Sequence, residues 1–233
     1  MKQNLTTIFL LFFLCTFSGC YRYIDWAKEV GDQGCPLETC VCDAYQYVRS
    51  ARVYDQFTTL GLFDALLLHD TVIKAYVCAY SAKYGLSPAK QEEYLQLQRD
   101  EDAPYISFYL LAVVPGTIGT LLTDKNPIWT VQLKIGNDYF NPTKLKTVEI
   151  SPEYKYFFGK RFTIFKHQYL VQFDAIDANN IPLIGPLTDK IELVLRRVGH
   201  QTSMLWCLNY QQEIVETCNL SDDSLAYDLN TNL

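Results

Sequence analysis

The chain has no long basic stretch: 20 basic residues stand against 26 acidic ones, for a formal charge of −6 over 233 residues. Affinity for nucleic acid depends first on neutralising phosphates with such residues, so that class of partner is set aside. Histidine is scarce as well, with His69, His167 and His200 in three unlike settings. There is no phosphate-binding glycine loop, no HExxH, no serine elbow and no CxxC pair, so neither a catalytic set nor a cofactor is read from the sequence. No apolar run convincingly supplies the roughly 20 residues of a membrane-spanning helix. Residues 8–17 (IFLLFFLCTF) are too few, and the uncharged stretch 103–122 is broken by Pro, Gly, Ser and Thr and reads as a buried strand. Disorder is excluded by the hydrophobic content of 49%.

What the sequence does contain is an export signature. Lys2 supplies a positive end, residues 8–17 an apolar segment of signal-peptide length, and Ser18 and Gly19 stand immediately before Cys20. Phe17-Ser18-Gly19-Cys20 resembles the lipobox of bacterial lipoproteins, with Phe17 where that family usually has Leu. The resemblance implies cleavage before Cys20, a diacylglycerol on its thiol and an acylated new amine. More than one acyl chain makes a stable anchor where a single chain gives only marginal binding. Tyr21 follows the cysteine where lipoproteins retained at the inner membrane often have Asp, so the resemblance points to the outer membrane in a two-membrane cell. Removing residues 1–19 takes away Lys2 and no acid, which changes the formal charge from −6 to −7.

The remaining cysteines agree with an oxidising compartment. Cys15 leaves with the signal and Cys20 carries lipid, which leaves Cys35, Cys40, Cys42, Cys78, Cys207 and Cys218, an even number suited to disulfides. A bridge from Cys78 to the segment 35–40 is expected if two antiparallel helices place them opposite each other. Cys207 and Cys218 form the second expected pair; closing a loop of about a dozen residues would stabilise by about 3 kcal/mol on a chain-entropy basis. The spacing in CPLETCVC is not that of common paired-cysteine zinc motifs, so no metal is expected.

The periodicity predicts an α+β chain: a disulfide-braced helical part followed by an antiparallel β-sandwich, with an immunoglobulin-like arrangement in view although the Cys and Trp spacing of true immunoglobulin domains is missing. The expected divisions are a signal peptide at 1–19, an anchor and tether at 20–34, a helical subdomain at 35–102, a sandwich at 103–218 and a loose acidic tail at 219–233. Val48, Ala51, Phe57, Leu62, Ala65, Leu66, Val72, Ile73 and Tyr76 approximate three- and four-residue steps, so 43–56 and the segment after Thr59 read as helices. Gly85 caps the latter, and Ser87-Pro88 opens a polar third helix. Beyond Pro104, alternation predicts strands around 105–114, 129–135, 171–175, 191–195 and 204–210, with a hairpin turning at Lys166-His167-Gln168. The stretch RSARVYDQFTTLGLFDALLLHD at 49–70 looks like that of uncharacterised exported bacterial proteins, a resemblance that brings no activity with it.

The functional expectation is a lipid-anchored cell-envelope protein that binds or scaffolds. Its partners would be the membrane, through lipid on Cys20, and another envelope protein, with glycan second. The candidate binding surface is the basic group Lys155, Lys160, Arg161, Lys166 and His167. The alternative is a lipid-tethered hydrolase with a carboxylate or histidine at the seam of helices and sandwich; Arg49, Arg52, Asp55, Asp64, His69 and Asp70 are the residues that could cluster there.

Overall fold

The structure, a computed structural model, describes residues 47–114, 122–209 and 213–215. The fold is α+β, with two antiparallel five-stranded sheets and three α-helices among these residues. The helical reading of 43–67 is corrected. Val48–Asp55 (β1) and Thr58–Leu67 (β2) are strands joined in a hairpin, and only then come α1 (Asp70–Tyr84) and α2 (Pro88–Asp102). The apparent helical stripe arises because β2 is buried on both faces, so its apolar residues do not alternate. β2 pairs in turn with β3 (Tyr105–Val113), so the first sheet runs across the expected boundary at Asp102.

The chain then alternates between sheets. β4 (Thr130–Ile135) and β5 (Asp138–Phe140) form a hairpin, β6 (Lys144–Thr147) returns to the first sheet, and α3 (Pro152–Phe158) with a 3₁₀ turn at Gly159–Arg161 leads into β7 (His167–Asp174). β8 (Lys190–Arg197), β9 (His200–Leu208) and β10 (Ile214–Val215) complete the second sheet. The strand orders are β1-β2-β3-β7-β6 and β10-β9-β8-β4-β5. A hairpin turning at His167 is not formed: α3 and the following loop stand in place of its first strand. The signal for α3 is the same as for α2, a Ser-Pro pair, here Ser151 capping and Pro152 in the first turn.

One face of the first sheet meets the second sheet through rings: Phe108 lies 5.2 Å from Trp206 and Phe63 lies 5.0 Å edge-on from Trp129. A Cβ on Gly61 would sit 2.6 Å from the Phe63 ring and 3.3 Å from Trp129, so this approach leaves no room for a larger residue. The opposite face of the first sheet carries Asp64, Leu66, Ser107 and Leu111, all buried beneath the helices. Tyr154 of α3 packs 4.9 Å from Tyr109 of β3 and stacks 4.1 Å from Tyr76 of α1. Gly85 ends α1 in the left-handed conformation, φ 63°, and Ser87-Pro88 opens α2, both as the sequence predicts. No helix among the described residues is long and apolar enough to cross a membrane.

Candidate functional site: the turn end and the helix–sheet seam

Registers fix which turns share an end of the molecule. Asp55 faces Thr58, Leu62 faces Val113 and Ala112 faces His167, so the β1–β2 turn, the end of β3 and the loop before β7 lie together. In the second sheet Arg197 faces His200 and Thr130 faces Arg196, which puts the β8–β9 turn beside the start of β4. The Phe63–Trp129 contact brings the two sets to the same end. Four apolar side chains project there: Phe57, Val198, Ile164 and Phe165 are 104%, 96%, 86% and 80% exposed. Exposed apolar side chains gathered at one end of a fold mark interaction sites, whereas scattered single residues do not. Leu187, equally exposed, lies before β8 at the opposite end.

The expected basic surface divides. Lys160 is exposed and Arg161 half-buried, three to five residues ahead of Ile164 and Phe165. Lys155 is half-buried, with its ammonium 5.2 Å above the Phe162 ring and 3.8 Å from Glu149. His167 is half-buried at the start of β7. Lys166 is corrected: it is buried, and its Nζ donates to Asp64 Oδ2 and to the Arg161 carbonyl, both at 2.5 Å. It is an internal counterion and not a surface cation. Arg52, exposed on β1, and Arg197, over the Trp129 ring, belong to the same end. These sequence analysis left out of the basic surface; the alternation in β1 and the Val198-Gly199 turn signal would have placed them.

At the other end, where α1 begins and α2 ends, two cavities adjoin. One of about 280 Å³ lies between Leu67 and Ile106 of the first sheet and Ile191 and Leu208 of the second, with Asp70, Arg99 and Asp102 also on its wall. The second, about 240 Å³, is lined by polar groups including Glu101, Lys144 and Gln172. Leu68, Ile73, Asp102 and Tyr105 line both. Burial pushes the Asp102 carboxyl up to about 6, against a hydrogen bond donated by Ser107 Oγ that lowers it. Burial also raises Asp70, but bonds from Arg99, at 2.6 and 3.2 Å, and from Lys74 outweigh it and hold that carboxyl below its ordinary value.

The cluster weighed for hydrolysis is not assembled. Asp64 takes Ser50 and Lys166, Arg49 donates to the Leu205 carbonyl 2.9 Å away, and Asp70 is bound to Arg99. His69 caps α1, its Nδ1 accepting from the Thr71 amide at 3.4 Å. Ser107 donates to a carboxylate, and no His nitrogen takes part in that bond. No trio of His, Cys, Asp or Glu that could hold a metal occurs among the described residues. Cys78 on α1 and Cys207 on β9 are each disulfide-bonded. Cys20, Cys35, Cys40, Cys42 and Cys218, the signal and tether, and the tail at 219–233 lie outside the described residues, so the cysteine pairing does too.

No protein-family model, no curated protein and no solved structure matches this chain.

Proposed function

We propose that the chain is an exported bacterial envelope protein, tethered to a membrane by lipid on Cys20, that works by binding another envelope protein through its turn end. The observation that carries the binding role is the convergence of Phe57, Val198, Ile164 and Phe165, fully or nearly fully exposed, on one end of the fold. The partner surface is an apolar patch with an acidic rim. Arg52, Lys160, Arg161 and Arg197 surround the tips, against Asp55 and Asp124, in a protein whose net charge is −6. Rim charges of this kind steer and orient, while buried rings supply the affinity. Binding is favoured over hydrolysis because His69, Asp70 and Ser107 are each bonded to structural partners.

The finer fold reading belongs to the same proposal. The two sheets form a β-sandwich, immunoglobulin-like in kind, braced by a disulfide from Cys78 to the segment 35–40 and another between Cys207 and Cys218. Changes of sheet between β3 and β4, β5 and β6, and β7 and β8 support a sandwich joined by crossovers.

A photo-crosslinking residue at Phe57 or Phe165 in intact cells should capture one envelope protein, and Cys20→Ser should release the chain from the membrane fraction. The same crosslinker at Leu187, equally exposed at the other end, should not capture that protein. Identical products from both ends would end the reading; capture of phospholipid alone at Phe57 would replace the protein partner with the bilayer.

A further inference from the structure

Among the described residues two carboxylates are buried, and each has a lysine. Asp64 is 2.5 Å from Lys166 and Glu153 is 2.6 Å from Lys83, as expected of charges taken out of water. Asp102 departs from that rule. It is half-buried, it accepts from Ser107, and among the described residues no Lys or Arg nitrogen lies within ion-pairing distance of it. Arg99 lines the apolar cavity with it but is bidentate on Asp70. Ser107 is itself fixed by a bond from Gln172 Nε2 at 3.1 Å, so the carboxylate is held from behind. Asp102 is also the last residue of α2, the end of a helix where partial negative charge accumulates and a cation is favoured.

Its position is shared between two unlike spaces. On one side lies the cavity of about 280 Å³ walled by Leu67, Ile106, Ile184, Ile191 and Leu208; on the other lies the polar one of about 240 Å³. Each is near the lower bound of small-molecule sites, so the ligand must be small. From this juxtaposition we infer that the seam is a binding site for a small amphiphilic amine, its ammonium on the Asp102 carboxylate and its hydrocarbon part between the sheets. The cation supplies the counter-charge that the fold withholds from Asp102. The hydrocarbon fills cavity volume beside Leu67, Ile106, Ile191 and Leu208, which are already buried from bulk water, so its gain is packing contact. In the apolar cavity a carboxylate ligand meets the opposite conditions, since Arg99 is already neutralised and Asp102 repels it; Lys144 lines the polar cavity, together with Glu101 and Asp102. The site is at the far end from Phe57 and Val198, so it stands or falls separately from the turn-end interface.

Calorimetric titration of the full chain in detergent with n-hexylamine, 1-hexanol and hexanoate tests this. Hexylamine should bind, hexanol should bind at least about tenfold more weakly, and hexanoate should give no heat of binding. Asp102→Asn keeps the shape and the bond from Ser107, and should weaken hexylamine at least about tenfold while leaving hexanol unchanged. Ile184→Trp, on the cavity wall away from Asp102, should abolish both and serves if the first variant does not fold. Equal affinity for hexylamine and hexanoate, no binding of hexylamine, or an Asp102→Asn protein that binds it as tightly as the parent would overturn the assignment.

Discussion

By sequence Lys166 is one of five cations near a turn; in the fold it is the counterion of a carboxylate 102 residues away. Nothing local separates it from Lys160, because what decides burial is the position of Asp64 on the helix-covered face of β2. The pair is enclosed, with Ser50 and the Arg161 carbonyl completing the hydrogen bonds, so removing one partner leaves the other charged and unsatisfied. Lys166→Ala should cost about 3–5 kcal/mol in urea unfolding. Lys166→Met combined with Asp64→Leu should recover most of that loss, because replacing both members of a buried pair is close to neutral. A double variant as unstable as the single one would mean that the site depends on volume and not on charge. His69 makes the converse point: its sequence neighbours Asp64 and Asp70 invite a catalytic reading, but a residue just before Asp70-Thr71 at a helix start is placed to cap, and it does.

At the level of elements, legibility follows how many faces are buried. β4 and β8 alternate between core and outside and are read within a residue or two, as are β3, an apolar run broken only by Ser107, and the Gly85 and Ser87-Pro88 signals. β1 and β2 are misread because β2 has apolar neighbours on both sides and their connection, Gln56-Phe57, carries no turn residue. That connection is a two-residue hairpin turn with Gln56 at φ 50°, a conformation in which glycine is at ease and glutamine is not. Leu60 adds a bulge, since the register slips between Val53 and Tyr54. Gln56→Gly should therefore stabilise the fold by about 1 kcal/mol, read as a raised midpoint in urea with unchanged slope. It should do so without altering crosslinking from Phe165. Destabilisation by Gln56→Gly would place the cost of the turn elsewhere, in ordering Phe57.

At the scale of the whole molecule, the turn end becomes visible only when two sheets are superposed, which is why Phe57, Ile164, Phe165 and Val198 look unrelated along the chain. The same superposition sets the acid–base behaviour, through carboxyls shifted in opposite directions. Asp102, raised to about 6 from an ordinary 3.8, binds more protons folded than unfolded between those values. Its contribution therefore favours the native state at low pH and is lost as the pH rises through about 6. Burial raises Asp70 and Glu153 too, but Arg99 with Lys74 and Lys83 respectively bring both below their ordinary values. Their stabilisation is present above the ordinary carboxylate range and is lost as the pH falls through it. For these three carboxyls, the opposed slopes place their joint contribution highest between the ordinary carboxylate range and about 6. Thermal melts across pH should show Asp102→Asn more stable than the parent at pH values above about 6, with the difference shrinking as the pH falls below that value, because the parent's carboxyl is then protonated and resembles the amide. A constant offset at every pH would mean that Asp102 matters for its shape alone. If n-hexylamine occupies the seam, it should remove that offset in the parent at high pH and stabilise Asp102→Asn far less at the same concentration, since a bound ammonium does for the ionised carboxyl what protonation does at low pH.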